Sequence, residues 1–143
     1  MVAMIRSVVP VLAGLVVAFS GVAGGEFLGQ KLFPVPPDVD LSTPAAIKTA
    51  MEQGMLPTGA LASVLLSWGF ATVVGSYLAA LFAPRAKLMH GMVVGAIFLA
   101  ATIANLMLRP HPLWMWVLGV AEILPAAYLG SWLAQPRMVV AKQ

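Results

Sequence analysis

Four long apolar stretches, separated by short polar breaks, dominate the chain: about Ile5 to Leu28, Leu56 to Ala83, Leu88 to Leu108, and Leu113 to Ala134. Each is long enough to cross a hydrocarbon core, which takes about 20 helical residues. None alternates as a barrel strand does, and backbone groups in lipid must satisfy one another, so the pattern predicts helices. The breaks Pro84-Arg-Ala-Lys87 and Arg109-Pro-His-Pro112 are very short. Proline lacks an amide donor and pushes the residue before it out of helical geometry, which supports both breaks. Such short connections force the second, third and fourth spans to run as antiparallel neighbours. The expected fold is an all-α membrane protein, an antiparallel four-transmembrane-helix bundle, in a single domain over residues 1–143.

One connection is long, from about residue 29 to 55. Its first half, Pro34-Val-Pro-Pro-Asp-Val-Asp40, reads as extended chain. Its second half reads as a short amphipathic helix: Thr43 suits the cap, Pro44 the first helical position and Gly54 the stop. Ile47, Ala50 and Met51 share one face, and Lys48, Glu52 and Gln53 the other, so this helix either lies on the membrane surface or lids the bundle. A solvated loop is the simpler alternative. Arg6 followed by Val8 to Val22 also has the outline of a secretory leader, but the run is long and three more spans follow, so it reads as a retained helix.

Composition agrees with lipid as the solvent. Of the 143 residues 61% are hydrophobic and 9% charged, against roughly 25% charged in soluble domains. The net charge of +3 comes from singly scattered Lys and Arg with no basic stripe, so nucleic acid is not an expected partner. They act better as topology determinants. Arg6, Arg85, Lys87, Arg137 and Lys142 fall on one side, while Lys31, Lys48 and Arg109 on the other are balanced by Asp38, Asp40 and Glu52. Basic excess marks the cytoplasmic face, which predicts a bacterial inner-membrane protein with both termini in the cytoplasm. Trp114, Trp116 and Trp132 sit at the ends of the last span, as an interfacial aromatic belt requires.

Absences narrow the function. No cysteine is present, and His90 and His111 fall at opposite ends of their spans, so no thiol chemistry or haem pair is expected. Asp38 and Asp40 are too few for a calcium cage. No hydrolase, zinc or phosphate-loop motif occurs. The chain is expected to be no enzyme and to carry no cofactor or metal.

In lipid no hydrophobic effect draws one apolar helix onto another, so small residues at four-residue spacing mark the seams. The first span has Gly14, Ala18, Gly21, Gly25 and Gly29; the second has Gly59, Ser63, Ser67, Ala71, Gly75, Ala79 and Ala83. The third has Gly91 and Gly95 with Ala96, Ala100 and Ala104; the fourth has Ala126, Gly130 and Ala134. These seams pack the bundle internally or join subunits.

Ionisable residues within spans are costly and call for a partner or a purpose. Glu122 lies near the bilayer midplane, where the neutral acid is favoured, with Pro125 one turn on freeing the Ala121 carbonyl. Ser67, Thr72 and Thr102 lie at compatible depths as partners. It reads as a proton- or cation-binding group, as a neutral acid in one interhelical hydrogen bond, or as a subunit contact. Glu26 lies at a depth similar to Asn105, Arg109 and His111, and this cluster reads either as a Glu26–Arg109 ion pair tying helices together or as a small ligand or ion site.

The run Asn105-Leu-Met-Leu-Arg-Pro-His-Pro-Leu-Trp114, with Leu124-Pro-Ala-Ala-Tyr-Leu-Gly130, resembles the second half of a group of short four-transmembrane-helix bacterial inner-membrane proteins. The resemblance extends to the Gly-rich, acidic end of the first helix and the Pro-rich loop. It implies the bundle and the inner membrane, but no activity, cofactor or site residue. Two functions are therefore expected: association through the Gly/Ala seams, as a homo-oligomer or as an accessory subunit to a membrane partner, or a small oligomeric transporter or channel using Glu122 and the Glu26/Arg109/His111 cluster.

Overall fold

The computed structural model describes residues 2–135, with side chains from residue 6 onward; Arg137 and Lys142, counted above for topology, lie outside the described residues. The protein is all-helical: α1 (Val2–Leu32), α2 (Pro44–Glu52), α3 (Thr58–Phe82), α4 (Lys87–Leu108) and α5 (Leu113–Leu133). Four of these, α1, α3, α4 and α5, are long and apolar enough to cross a membrane, which makes the chain a multi-pass helical membrane protein.

The ends of α1 differ from expectation. The helix runs past Leu28 through Gly29 to Leu32, and Pro10 sits inside it. Two glycine contacts explain the extension: Gly29 lies directly against the Ser63 side chain, and the Phe33 ring covers Gly59 so closely that a Cβ there would stand 2.5 Å from the ring. Packing of this kind outweighs the roughly 1 kcal/mol that a helical glycine costs.

The second half of the long connection folds as the expected short helix. The Thr43 hydroxyl accepts a hydrogen bond from the Ala46 amide at 3.1 Å, Pro44 opens α2, and Gly54 leaves it at φ +68°. Ala50 is buried, Ile47 and Met51 are half-buried, and Lys48 and Glu52 form an exposed ion pair at 3.8 Å. Upstream, the Ser42 side chain and then its amide, at 2.8 Å, hold the Asp40 carboxyl below the usual carboxylate range. At the opposite end of the bundle, Ala86 adopts φ 46° at the tight turn into α4, a left-handed conformation that costs an alanine about 1 kcal/mol or more.

Glycine seams set the arrangement. A Cβ on Gly14 would meet the Gly75 carbonyl oxygen at 2.5 Å, one on Gly21 the Ala71 Cβ at 3.1 Å, and one on Gly25 the Ser67 Cβ at 2.6 Å, so α1 and α3 run antiparallel in backbone contact. Gly91 and Gly95 of α4 rest on Ser131 and Ala127 of α5, and Gly130 rests on the Val73 carbonyl of α3. Helix α3 is thus central and the most buried, while α1 and α5 flank the α3–α4 pair from opposite sides. The α1–α4 contact is the loosest of the packed pairs.

Replacing Gly25 or Gly75 with leucine is expected to lower the thermal unfolding midpoint in detergent, at about 1–3 kcal/mol per overpacked site. Gly24, beside which nothing lies within 4 Å, serves as the control. Its leucine variant is expected to unfold with the wild type, and equal loss at all three positions would contradict the seam.

Candidate functional site

The end of the bundle that carries α2 and the 109–112 turn is hollow. Glu26 of α1, Asn105 of α4, and Arg109 and His111 of the turn line one cavity of about 360 Å³, with Gln30 and Ser63 as further polar walls and Val35, Ile47, Leu61 and Val64 as apolar ones. The four polar residues singled out from the sequence are therefore brought together. Each is placed by a local rule. Glu26 projects from α1 about 9 Å below Leu32 along the axis, while Arg109 and His111 are held where prolines 110 and 112 end α4 and start α5.

The expected Glu26–Arg109 ion pair is not formed. Among the described residues Lys48–Glu52 is the one pair within 4.0 Å, so both cavity charges face the cavity space unpaired. The His111 Nδ1 lies 2.8 Å from the Arg109 carbonyl oxygen. A carbonyl only accepts, so Nδ1 carries the proton and Nε2 is left for another partner. The ring also stands 6.2 Å from that of Trp68, centroid to centroid.

Below this cavity lies a second pocket of about 190 Å³, lined by Phe19, Val22 and Glu26 of α1, Trp68 of α3, and Phe98, Ala101, Thr102 and Asn105 of α4. Glu26 and Asn105 belong to both. Phe19, Trp68 and Phe98 were not singled out from the sequence. For Trp68 a signal existed: a tryptophan ten residues into a span departs from the interfacial belt.

Glu122 does not join this group. It lies on α5 against α3, where its Oε2 would stand 3.0 Å from a Cβ on Gly69, and its Oε1 is buried with no hydrogen-bond partner. The partners expected for it are engaged elsewhere. Ser67 donates to the Ser63 carbonyl at 2.6 Å and faces α1, and Thr72 donates to the Trp68 carbonyl at 2.7 Å; Thr102 lines the deeper α1–α4 pocket. A hydroxyl whose one proton is committed to its own helix has no donor left for a neighbouring carboxylate. Pro125 sits within an uninterrupted α5.

Fold and site together define a four-span helical membrane protein with a polar-rimmed, stepped cavity at one end of the bundle. Comparison with protein families, with curated proteins and with solved structures finds no match, so the site rests on its own geometry.

Glu122→Met is expected to raise the thermal unfolding midpoint of the chain in detergent, because it removes an orphaned buried acceptor whose cost is about 1–3 kcal/mol. A lowered midpoint, read by the same melt, would mean that the carboxyl has a partner.

Proposed function

We propose that this chain is a non-enzymatic membrane protein that binds a small solute between its helices, as the binding unit of a small transporter. The observation that carries the reading is the stepped cavity: unpaired Glu26 and Arg109, with Asn105 and His111, share one space, and Glu26 and Asn105 also line a second, adjoining pocket within the span. Ionisable groups kept near or within a span without a partner are candidates for a ligand or ion path. The glycine seams that suggested association are occupied inside the chain, Gly14, Gly21 and Gly25 on α3, and Gly91 and Gly95 on α5.

The membrane in this reading is a bacterial inner membrane with the termini in the cytoplasm, so the cavity opens outward. Basic residues support that orientation. Arg6, Arg85 and Lys87 gather at the end of the bundle away from the cavity with no acidic residue beside them, whereas Lys31, Lys48 and Arg109 share the cavity end with Asp38, Asp40 and Glu52.

A second reading, a subunit contact through α3 and α5, has one observation in its favour: Glu122 Oε1 is orphaned while Leu66 and Phe70 of α3 and Leu118 and Leu129 of α5 are exposed. Light scattering on the protein in mild detergent separates the two. A strict monomer, unchanged by Glu122→Met, would end the second reading.

Because the chain has no cysteine, single cysteines report water access cleanly. Cysteine at Ser63 or Asn105 is expected to react with a membrane-impermeant methanethiosulfonate in cells, and cysteine at Leu66, on the exposed apolar face, to stay unreactive. An unreactive Asn105 cysteine would overturn the cavity reading, and one reactive solely from the cytoplasm would reverse the orientation.

A further inference from the structure

The deeper pocket has a composition of its own. Three aromatic rings, those of Phe19, Trp68 and Phe98, stand around it, and Glu26 is its single ionisable residue. No Lys, Arg or His nitrogen lies within 4.0 Å of that carboxyl among the described residues. Phe19 and Phe98 meet with ring centroids 5.3 Å apart. Glu26 and Asn105 lie seven residues further along α1 and α4 respectively, about 10 Å along the helix axes. The pocket therefore has an acidic, amide-bearing end level with Trp68, and an end formed by Phe19 and Phe98, separated by the length of a small organic molecule.

Charge and shape select the ligand class. Aromatic faces attract cations through their quadrupoles and cover apolar surface equally well, so rings beside an unpaired carboxyl suit an organic ammonium with an apolar body. Anions are disfavoured, since no donor with positive charge lines the pocket. Arg109 and His111 border the upper cavity but not this pocket, which sets a positive group at the upper mouth and opposes entry of a cation from that side. A second way in exists. Helix α5 contributes nothing to the lining, α1 and α4 pack loosely, and Phe19 is 48% exposed, so the pocket opens sideways between α1 and α4 toward the acyl chains.

Resting on the solute-binding reading above, the geometry points to the pocket formed by Phe19, Glu26, Trp68, Phe98, Thr102 and Asn105 as a site for a membrane-partitioning organic ammonium, entered laterally between α1 and α4, with the ammonium at Glu26 and Asn105 beside Trp68 and the apolar body against Phe19 and Phe98.

The test is equilibrium binding to the full chain in lipid nanodiscs, using benzyltrimethylammonium, its uncharged isostere neopentylbenzene, and phenylacetate. The ammonium is expected to bind at least tenfold more tightly than the isostere, and Glu26→Gln to reduce its affinity at least tenfold. Equal binding of ammonium and isostere, or an unchanged affinity in a folded Glu26→Gln protein, overturns the assignment. If Glu26→Gln does not fold, a cysteine at Thr102 in the otherwise wild-type chain decides: the ammonium is expected to slow its alkylation at least threefold and the isostere to leave it unchanged, and failure to slow it overturns the assignment. Arg109-dependent binding of phenylacetate, with none of the ammonium, would overturn the ammonium assignment while leaving the solute-binding reading in place. An Asn105 cysteine that never meets aqueous reagent would overturn both.

Discussion

Backbone contact between α1 and α3 is the constraint on which the rest of the structure depends. Acyl chains are as apolar as leucine, so nothing like the hydrophobic effect presses these helices together, and cohesion comes from close packing where side chains are small. Gly14, Gly21, Gly25 and Gly29 bring α1 onto the Ser63–Ala79 face of α3. Once α1 is committed to that face, it meets α4 only lightly. The stepped cavity is a consequence of this: α4 draws toward α5 through Gly91 and Gly95, α1 toward α3, and the space left between α1 and α4 is where the pocket lies.

The same geometry explains why polar residues sit where they do. Four hydroxyls within the spans bond their own helix: Ser63, Ser67, Thr72 and Ser131 each donate to a carbonyl three or four residues earlier. They act as small residues that allow close approach, and Ser63 and Ser67 meet Gly29 and Gly25 in that role. Apart from the orphaned Ser76 and Glu122, three polar side chains left with bonding capacity meet at the cavity. Glu26, Asn105 and Arg109 make no side-chain hydrogen bond or ion pair among the described residues, and all three border the same space.

Much of this was legible from residue order. Four spans, their short breaks, the capped helix of the long connection and the clustering of Glu26, Asn105, Arg109 and His111 follow from hydropathy length, proline chemistry and depth counted from helix ends, all of which are local. What could not be read was lateral. Depth places Ser67 near Glu122, but the direction around the helix sends Ser67 to α1 and leaves Glu122 on Gly69. Depth likewise suggests a Glu26–Arg109 pair, while the distance across the bundle depends on how far α1 stands from the 109–112 turn. Phe19 and Phe98 belong to different helices, and their seven-residue offsets to Glu26 and Asn105 acquire meaning once α1 and α4 are known to run side by side in the same direction. Helix α1 ran longer than expected for the same reason, since Gly29 reads as a helix end until its contact with Ser63 is seen.

Two carboxyls at different positions in the bundle show what the packing decides. Glu122 lies where α5 and α3 touch through a glycine, so one of its oxygens is sealed from both water and partners. Glu26 lies where α1 and α4 part, and it lines both the polar-rimmed cavity and the adjoining aromatic pocket. A carboxyl sealed by packing can gain a partner only if another chain supplies one, whereas a carboxyl facing a cavity can gain one from solution or from the membrane. The difference between the two acids therefore lies in whether their helices close or diverge, and that is set by the glycines of neighbouring helices rather than by either glutamate.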